Sequence, residues 1–198
     1  VQPQSETVWL QAKRYDVPCI AFVNKMDRVG ADFEKALISI EDQLSANPVA
    51  IQIPIGAEDE FEGVIDLVSM QEHRFKEDAY GAEYESSYLT DELEAQAQER
   101  RQQWLEHLSL YDDGLLEKIV EEEEVSQEEV VRVLRKATLS GQITPVLCGS
   151  AFKNKGVQQL LDAIVHYLPS PLDIPPVEGD HPVTKKLVSR EASASEPL

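Results

Sequence analysis

The chain has 198 residues, 42% of them apolar, enough for a substantial core in one domain or two small ones. Eighteen Lys and Arg against 37 Asp and Glu leave a net charge of −19, which argues against a surface that tracks nucleic-acid phosphates and suits a basic protein partner or a well-solvated surface. No apolar run reaches transmembrane length, and Gln2-Pro3-Gln4 at the start lacks the charged and apolar regions of a signal peptide.

In chain order, Ser5 to Tyr15 reads as a helix, with Ser5 as N-cap and Val8, Trp9, Ala12 and Tyr15 on one apolar side. Residues 17–23, V-P-C-I-A-F-V, then read as a buried strand of a parallel sheet, Pro18 sitting at its start, where a missing N–H does least harm. Such sheets bind ligands just past the carboxyl ends of their strands. There the chain places Asn24-Lys25-Met26-Asp27. N-K-x-D suits guanine. The Asp27 carboxylate can accept from ring N1–H and the exocyclic N2 amine at once, a pair of donors that adenine lacks. The Asn24 amide can serve the N7/O6 edge, and the Lys25 stem can cover the ring face.

Asp32 caps a helix in which Phe33, Leu37, Ile40 and Leu44 recur at helical spacing, ended by Asn47-Pro48. This strand–turn–helix alternation implies an α/β class. From Val49 the period changes: Val49, Ile51, Ile53 and Ile55 alternate as in a strand, residues 56–63 form an acidic turn, and residues 64–70 give another strand. Residues 71–88 are polar, with a further strand expected near Tyr84. Leu93, Ala97, Arg101, Trp104 and Leu108 then share a helical face, and Leu115 to Val120 make a short helix. Ser126-Gln127-Glu128-Glu129 is a capping box opening a helix with Val130, Val133, Leu134 and Ala137, stopped at Gly141. Glu121 to Glu124 is the densest charge cluster, either a solvated connector or a docking face for a basic partner.

A second apolar run, Val146-Leu147-Cys148, ends at Gly149-Ser150-Ala151. Small residues there let backbone N–H groups approach a flat base. The Ala151 N–H can donate to guanine O6, Ser150 can hold the Asp27 carboxylate, and Phe152 can support the ring or sit in the core. Lys153 and Lys155 read as loop charges, Cys148 and Gly149 as structural. A helix from Val157 to Leu168 follows, with Leu160, Leu161, Ile164 and Val165 as its buried side. Four prolines between Pro169 and Pro176 mark an extended linker, and residues 178–198 carry no clear period, so the tail is expected to be disordered. Cys19 and Cys148 read as reduced, buried thiols, and the cysteines and histidines show no metal-ligand spacing.

N-K-M-D-R followed by C-G-S-A-F-K-N-K-G resembles the fourth and fifth motifs of a translational GTPase. With V-Q-P-Q-S-E-T-V-W at the start, A-N-P-V and I-G-A-E-D-E-F-E-G-V-I-D-L-V in the middle and Y-L-P-S-P near the end, the chain resembles the elongation factor G family over nearly its whole length, most loosely from Glu72 to Gly141. The resemblance implies a GTP-binding and GTP-hydrolysing parent that promotes ribosomal translocation. It implies a partial P-loop-GTPase-type parallel sheet from residues 1–48 and 141–170, an inserted α+β subdomain from 49–140, and a linker towards a second domain from 171–198. Asn24, Lys25, Asp27, Ser150, Ala151 and Phe152 are the expected base pocket. The implied partners are GTP, the ribosome and, through the insertion, its stalk protein, with no direct nucleic-acid contact and no membrane. The expected location is cytoplasmic.

No glycine is followed by lysine, so G-x-x-x-x-G-K-[ST] does not occur, and the D-x-x-G matches at residues 27–30 and 78–81 read as chance. The expectation is therefore a fragment starting midway through the GTP-binding domain. Its parent's phosphate and Mg2+ elements lie upstream, and the fragment alone is expected to be inactive, with no catalytic residue and no metal site. A paralogous recycling or release factor, or a catalytically silent acidic protein-binding module, is the alternative.

Overall fold

The structure is a computed structural model that describes residues 1–76, 83–173, 175–180, 184–190 and 192–193. The match at residues 78–81 lies outside them. The fold is α/β, with one parallel sheet and two antiparallel ones among the described residues. Residues Val1–Leu168 form one compact unit and Pro169–Leu198 a second.

The parallel sheet has the order β1 (Ala21–Val23), β7 (Thr144–Cys148), β2 (Pro48–Ala50). Every residue of β7 is buried, as expected of a central strand whose apolar run is continuous. The alternating stretch from Val49 is two strands rather than one. β2 pairs with β7, whereas β3 (Gln52–Ile55) opens the antiparallel order β3, β4 (Gly63–Asp66), β5 (Gln71–Phe75), β6 (Tyr84–Tyr88). Ile51 is the joint between the sheets. Its N–H donates to Val146 O at 3.1 Å, and its carbonyl accepts from Leu67 N at 3.0 Å.

Two sequence expectations shift here. β4 is shorter than the expected 64–70 strand, and β5, not anticipated, follows it. In β5 the polar Glu72 and His73 are buried, satisfied across the sheet by Ser87 Oγ at 2.8 Å and Ser86 Oγ at 2.8 Å. A polar strand held this way leaves no apolar alternation to read.

The first helix, α1 (Pro3–Arg14), begins at Gln2 with Pro3 in its first turn, so Ser5 is not its cap. None of its residues is buried. Val8 and Tyr15 are exposed, and Trp9 is half-buried, its indole N–H donating to Leu44 O at 2.8 Å. Asp32 caps α2 (Phe33–Leu44), accepting from Lys35 N at 3.0 Å. Three helices follow the antiparallel sheet: α3 (Asp91–Ser109), α4 (Asp113–Val120) and α5 (Gln127–Leu139). Both halves of the Ser126–Glu129 capping box are formed.

The final helix of this unit, α6 (Val157–Tyr167), is turned from its expected face. Gln159, Ala163 and Tyr167 are buried at four-residue spacing, while Leu161, Ile164 and Val165 are exposed. Arg135 of α5 anchors the end of α6, donating to His166 O and Leu168 O at 2.8 and 3.0 Å. In the second unit, β8 (Val177–Asp180) and β9 (Leu187–Arg190) pair antiparallel where the sequence suggested a disordered tail. Cys148 is buried and Cys19 half-buried. Both are free thiols, and burial raises the pKa of each.

Asp112 is the polar centre of the helical layer. It caps α4 by accepting from Leu115 N at 3.2 Å, and it takes Arg132 through two contacts at 3.0 and 3.2 Å and Lys136 at 3.0 Å. The Arg132 guanidinium, joined by Lys136 and the Leu115 N–H, outweighs burial and holds the carboxyl well below the usual carboxylate range. This contribution is full above the unfolded carboxyl pKa and is lost as pH falls through the lower folded value. Asp112→Ala is expected to cost about 2 kcal/mol near neutral pH, most of it the lost cap because both cations are half exposed to solvent. Urea melts should show the gap from wild type narrowing below pH of about 4.

Candidate functional site: two loops at the rim of the parallel sheet

β1 and β7 run parallel with Val23 opposite Cys148, so both strands end at one level. The loops that follow are stitched together at once. Gly149 N donates to Val23 O at 3.0 Å, and Met26 N donates to Gly149 O at 3.0 Å. Gly149 must be glycine, because a Cβ there would stand 2.3 Å from Lys155 O and 2.6 Å from the Phe22 ring.

In the first loop, Lys25 takes a left-handed backbone, φ +65°. Asn24 supports that turn by accepting the Lys25 N–H on its own Oδ1 at 2.8 Å. The same oxygen accepts the Ala151 N–H at 2.9 Å, across 127 residues of chain. The N–H expected to face guanine O6 is thus directed to Asn24. Met26 points inward into an apolar cluster with Phe61, Val64, Phe75, Val146 and Cys148. This buried methionine makes the tetrad a fixed turn rather than a loose one.

Asp27 faces the second loop. Its side chain is 9% exposed, and Lys153 Nζ lies 3.3 Å from Oδ2. Burial pushes the carboxyl pKa up, but hydrogen bonds from the Ser150 hydroxyl, Lys153 and the Asp27 N–H outweigh that and hold it below its ordinary value. Ser150 is itself buried. Its backbone is clamped to Lys155 by two bonds, Ser150 N to Lys155 O at 2.9 Å and Lys155 N to Ser150 O at 3.0 Å. A 3₁₀ turn over Ala151–Lys153 closes the loop, and Gly156, at φ +81°, leads into α6.

The structure therefore brings Asn24, Asp27, Ser150 and Ala151 into one bonded group. Lys25 and Phe152 flank it as exposed side chains, Phe152 at 91%, so it is not a core phenylalanine. Lys153 and Lys155 are more than loop charges. The first pairs with Asp27, and the second is buried. No spacing in the sequence marks either lysine, because their partners lie far away in the chain. Chemically, the rim offers a fixed ionised acceptor, a carboxamide and exposed donors beside it. Among the described residues, no group of three or more His, Cys, Asp or Glu could hold a metal ion.

This is the fold of a GTPase domain. The family model of the elongation factor Tu GTP binding domain matches residues 1–170, and the chain belongs to that family. It is 48% identical over 198 residues to a protein named elongation factor G 2 from Syntrophus aciditrophicus (strain SB), the match covering 100% of this chain and 29% of that protein. A crystal structure of a Thermus thermophilus protein superposes with a TM-score of 0.75 at 30% identity, over 89% of this chain and 26% of that one. The chain thus spans under a third of the length of the curated relative it matches.

Proposed function

We propose that this chain is the guanine-recognising part of a longer translational GTPase of the elongation factor G type, which hydrolyses GTP and promotes ribosomal translocation. The observation that carries the reading is the Asp27 carboxylate, its side chain 9% exposed and 3.3 Å from Lys153 Nζ on a neighbouring loop. In this reading Asp27 accepts from guanine N1–H and N2–H. Guanine O6 takes the Ala151 N–H, and the Asn24 carboxamide turns to the N7 edge. Lys25 and Phe152 cover the ring faces.

The identity to a protein named elongation factor G supports the translocase type over a recycling or release paralogue. Residues 52–140 act as an insertion between the two halves of the GTP-binding domain, starting later than the expected residue 49 because β2 pairs with β7 in the parallel sheet, and residues 171–198 lead towards a further domain. The exposed acidic run Glu121–Glu124 beside α4 and α5 suits a basic partner such as the ribosomal stalk protein. The working location is the cytoplasm; among the described residues, no helix is long and apolar enough to cross a membrane.

Phosphoryl transfer depends on positioning, Mg2+ and charge stabilisation around the γ-phosphate. In this reading those elements belong to other parts of the whole protein. The 198-residue chain alone is therefore expected to show no submicromolar GDP affinity by calorimetry. The function is tested on the whole protein. It should prefer GDP to ADP by about 10⁴-fold and hydrolyse GTP faster when ribosomes are added. Equal affinity for ADP, or hydrolysis indifferent to ribosomes, would favour the catalytically silent binding module.

A further inference from the structure

Both base-facing loops are tied to one short segment of the antiparallel sheet's first turn, residues 58–61. Lys155 is 7% exposed, yet it is a charged residue of the second loop. Its Nζ donates to Phe61 O at 2.6 Å and lies 5.8 Å from the centroid of the Phe61 ring. The first loop has its own tie. Gly30 N, three residues past Asp27, donates to Glu58 Oε1 at 2.6 Å. Between the two ties, Met26 and Cys148 share an apolar cluster with Phe61, Val64 and Phe75.

Burying an ammonium is costly unless its protons are bonded, so a lysine here needs a reason beyond packing. The path from it is short. Phe61 O holds Lys155 Nζ, the Lys155 backbone holds Ser150 from both sides, and the same loop's Lys153 pairs with the Asp27 carboxylate at 3.3 Å, with Ser150 lowering that carboxyl's pKa. A small shift of the 58–61 segment would therefore reach the acceptor that faces the base.

We propose that residues 58–61 set the geometry of the guanine-recognising rim, with Lys155 as the positioning residue for Ser150 and Asp27, and Glu58 as a second tie on the Asp27 loop. The proposal rests on the guanine reading above. It makes base selectivity depend on the antiparallel sheet, and it gives any partner docking on that sheet a route to nucleotide affinity.

The test uses the whole protein and two nucleotides, GDP and IDP. IDP lacks the exocyclic N2 amine assigned to Asp27. Their affinities are measured for wild type, Lys155→Met and Glu58→Ala. A fraction of unfolded protein weakens both apparent affinities by one factor, so their ratio reads rim geometry alone. Wild type is expected to favour GDP about tenfold, and Lys155→Met to shrink that ratio at least about threefold, with a smaller change in the same sense for Glu58→Ala. A wild-type ratio retained in Lys155→Met overturns the proposal. Should that variant not fold, Glu58→Ala decides: a smaller ratio supports it and an unchanged one overturns it. A wild type with no preference for GDP over IDP removes the guanine reading itself, and the proposal with it.

Discussion

Asp27→Asn in the whole protein is expected to exchange a guanine preference for a xanthine one. In the proposed reading the carboxylate accepts two N–H donors from guanine. An amide at the same position keeps one acceptor and presents a donor, which matches xanthine, where a C2 carbonyl replaces the exocyclic amine. GDP affinity should fall by about 100-fold, from a lost charge-assisted bond and an unpaired donor pair. XDP affinity should rise in parallel. The Ser150 hydroxyl and Lys153 that hold the carboxylate in wild type can hold the amide oxygen as well, so the turn should survive the change. Competition binding with the two diphosphates reads the switch. A variant that binds GDP as tightly as wild type would remove Asp27 from the base pocket.

Phe61→Ala should produce the largest loss of stability. Phe61 is 0% exposed and packs its ring 5.8 Å from that of Phe75, in the cluster that also holds Met26 and Cys148. Deleting a buried phenyl leaves a cavity and costs about 3–5 kcal/mol. Phe152→Ala is the matched control, since that ring is almost wholly exposed and surface truncations of this kind change stability by about 0.5 kcal/mol or less. Urea denaturation of the two variants separates them. Equal midpoints would mean that Phe61 is not at the centre of a packed cluster.

The elements legible in the sequence are those whose physics is local. β7 shows as an unbroken apolar run, α5 announces itself by its capping box, and α2 by its Asp32 cap and apolar spacing. The N-K-M-D turn is legible as a polar turn at the end of an apolar run, and the structure holds it there through Lys25 N–H on Asn24 Oδ1. What escaped was set by distant partners. β5 hides its burial behind Glu72 and His73, whose partners lie on β6. α6 buries Gln159, Ala163 and Tyr167, a face set by its packing in the folded chain, so its most apolar residues are not its buried ones. Lys155 reads as a loop charge because its acceptor, the Phe61 carbonyl, is 94 residues away. A motif names its own residues, whereas the supports beneath them emerge only when the chain is folded.

The most direct measurement is a crystal structure of the whole protein with GDP bound. The two Asp27 carboxylate oxygens should lie about 2.7–3.0 Å from guanine N1 and N2, with Ala151 N turned from Asn24 to O6 and the Ser150 hydroxyl still on Asp27. A base seated elsewhere, or Asp27 swung away from both Ser150 and the purine edge, would contradict the account.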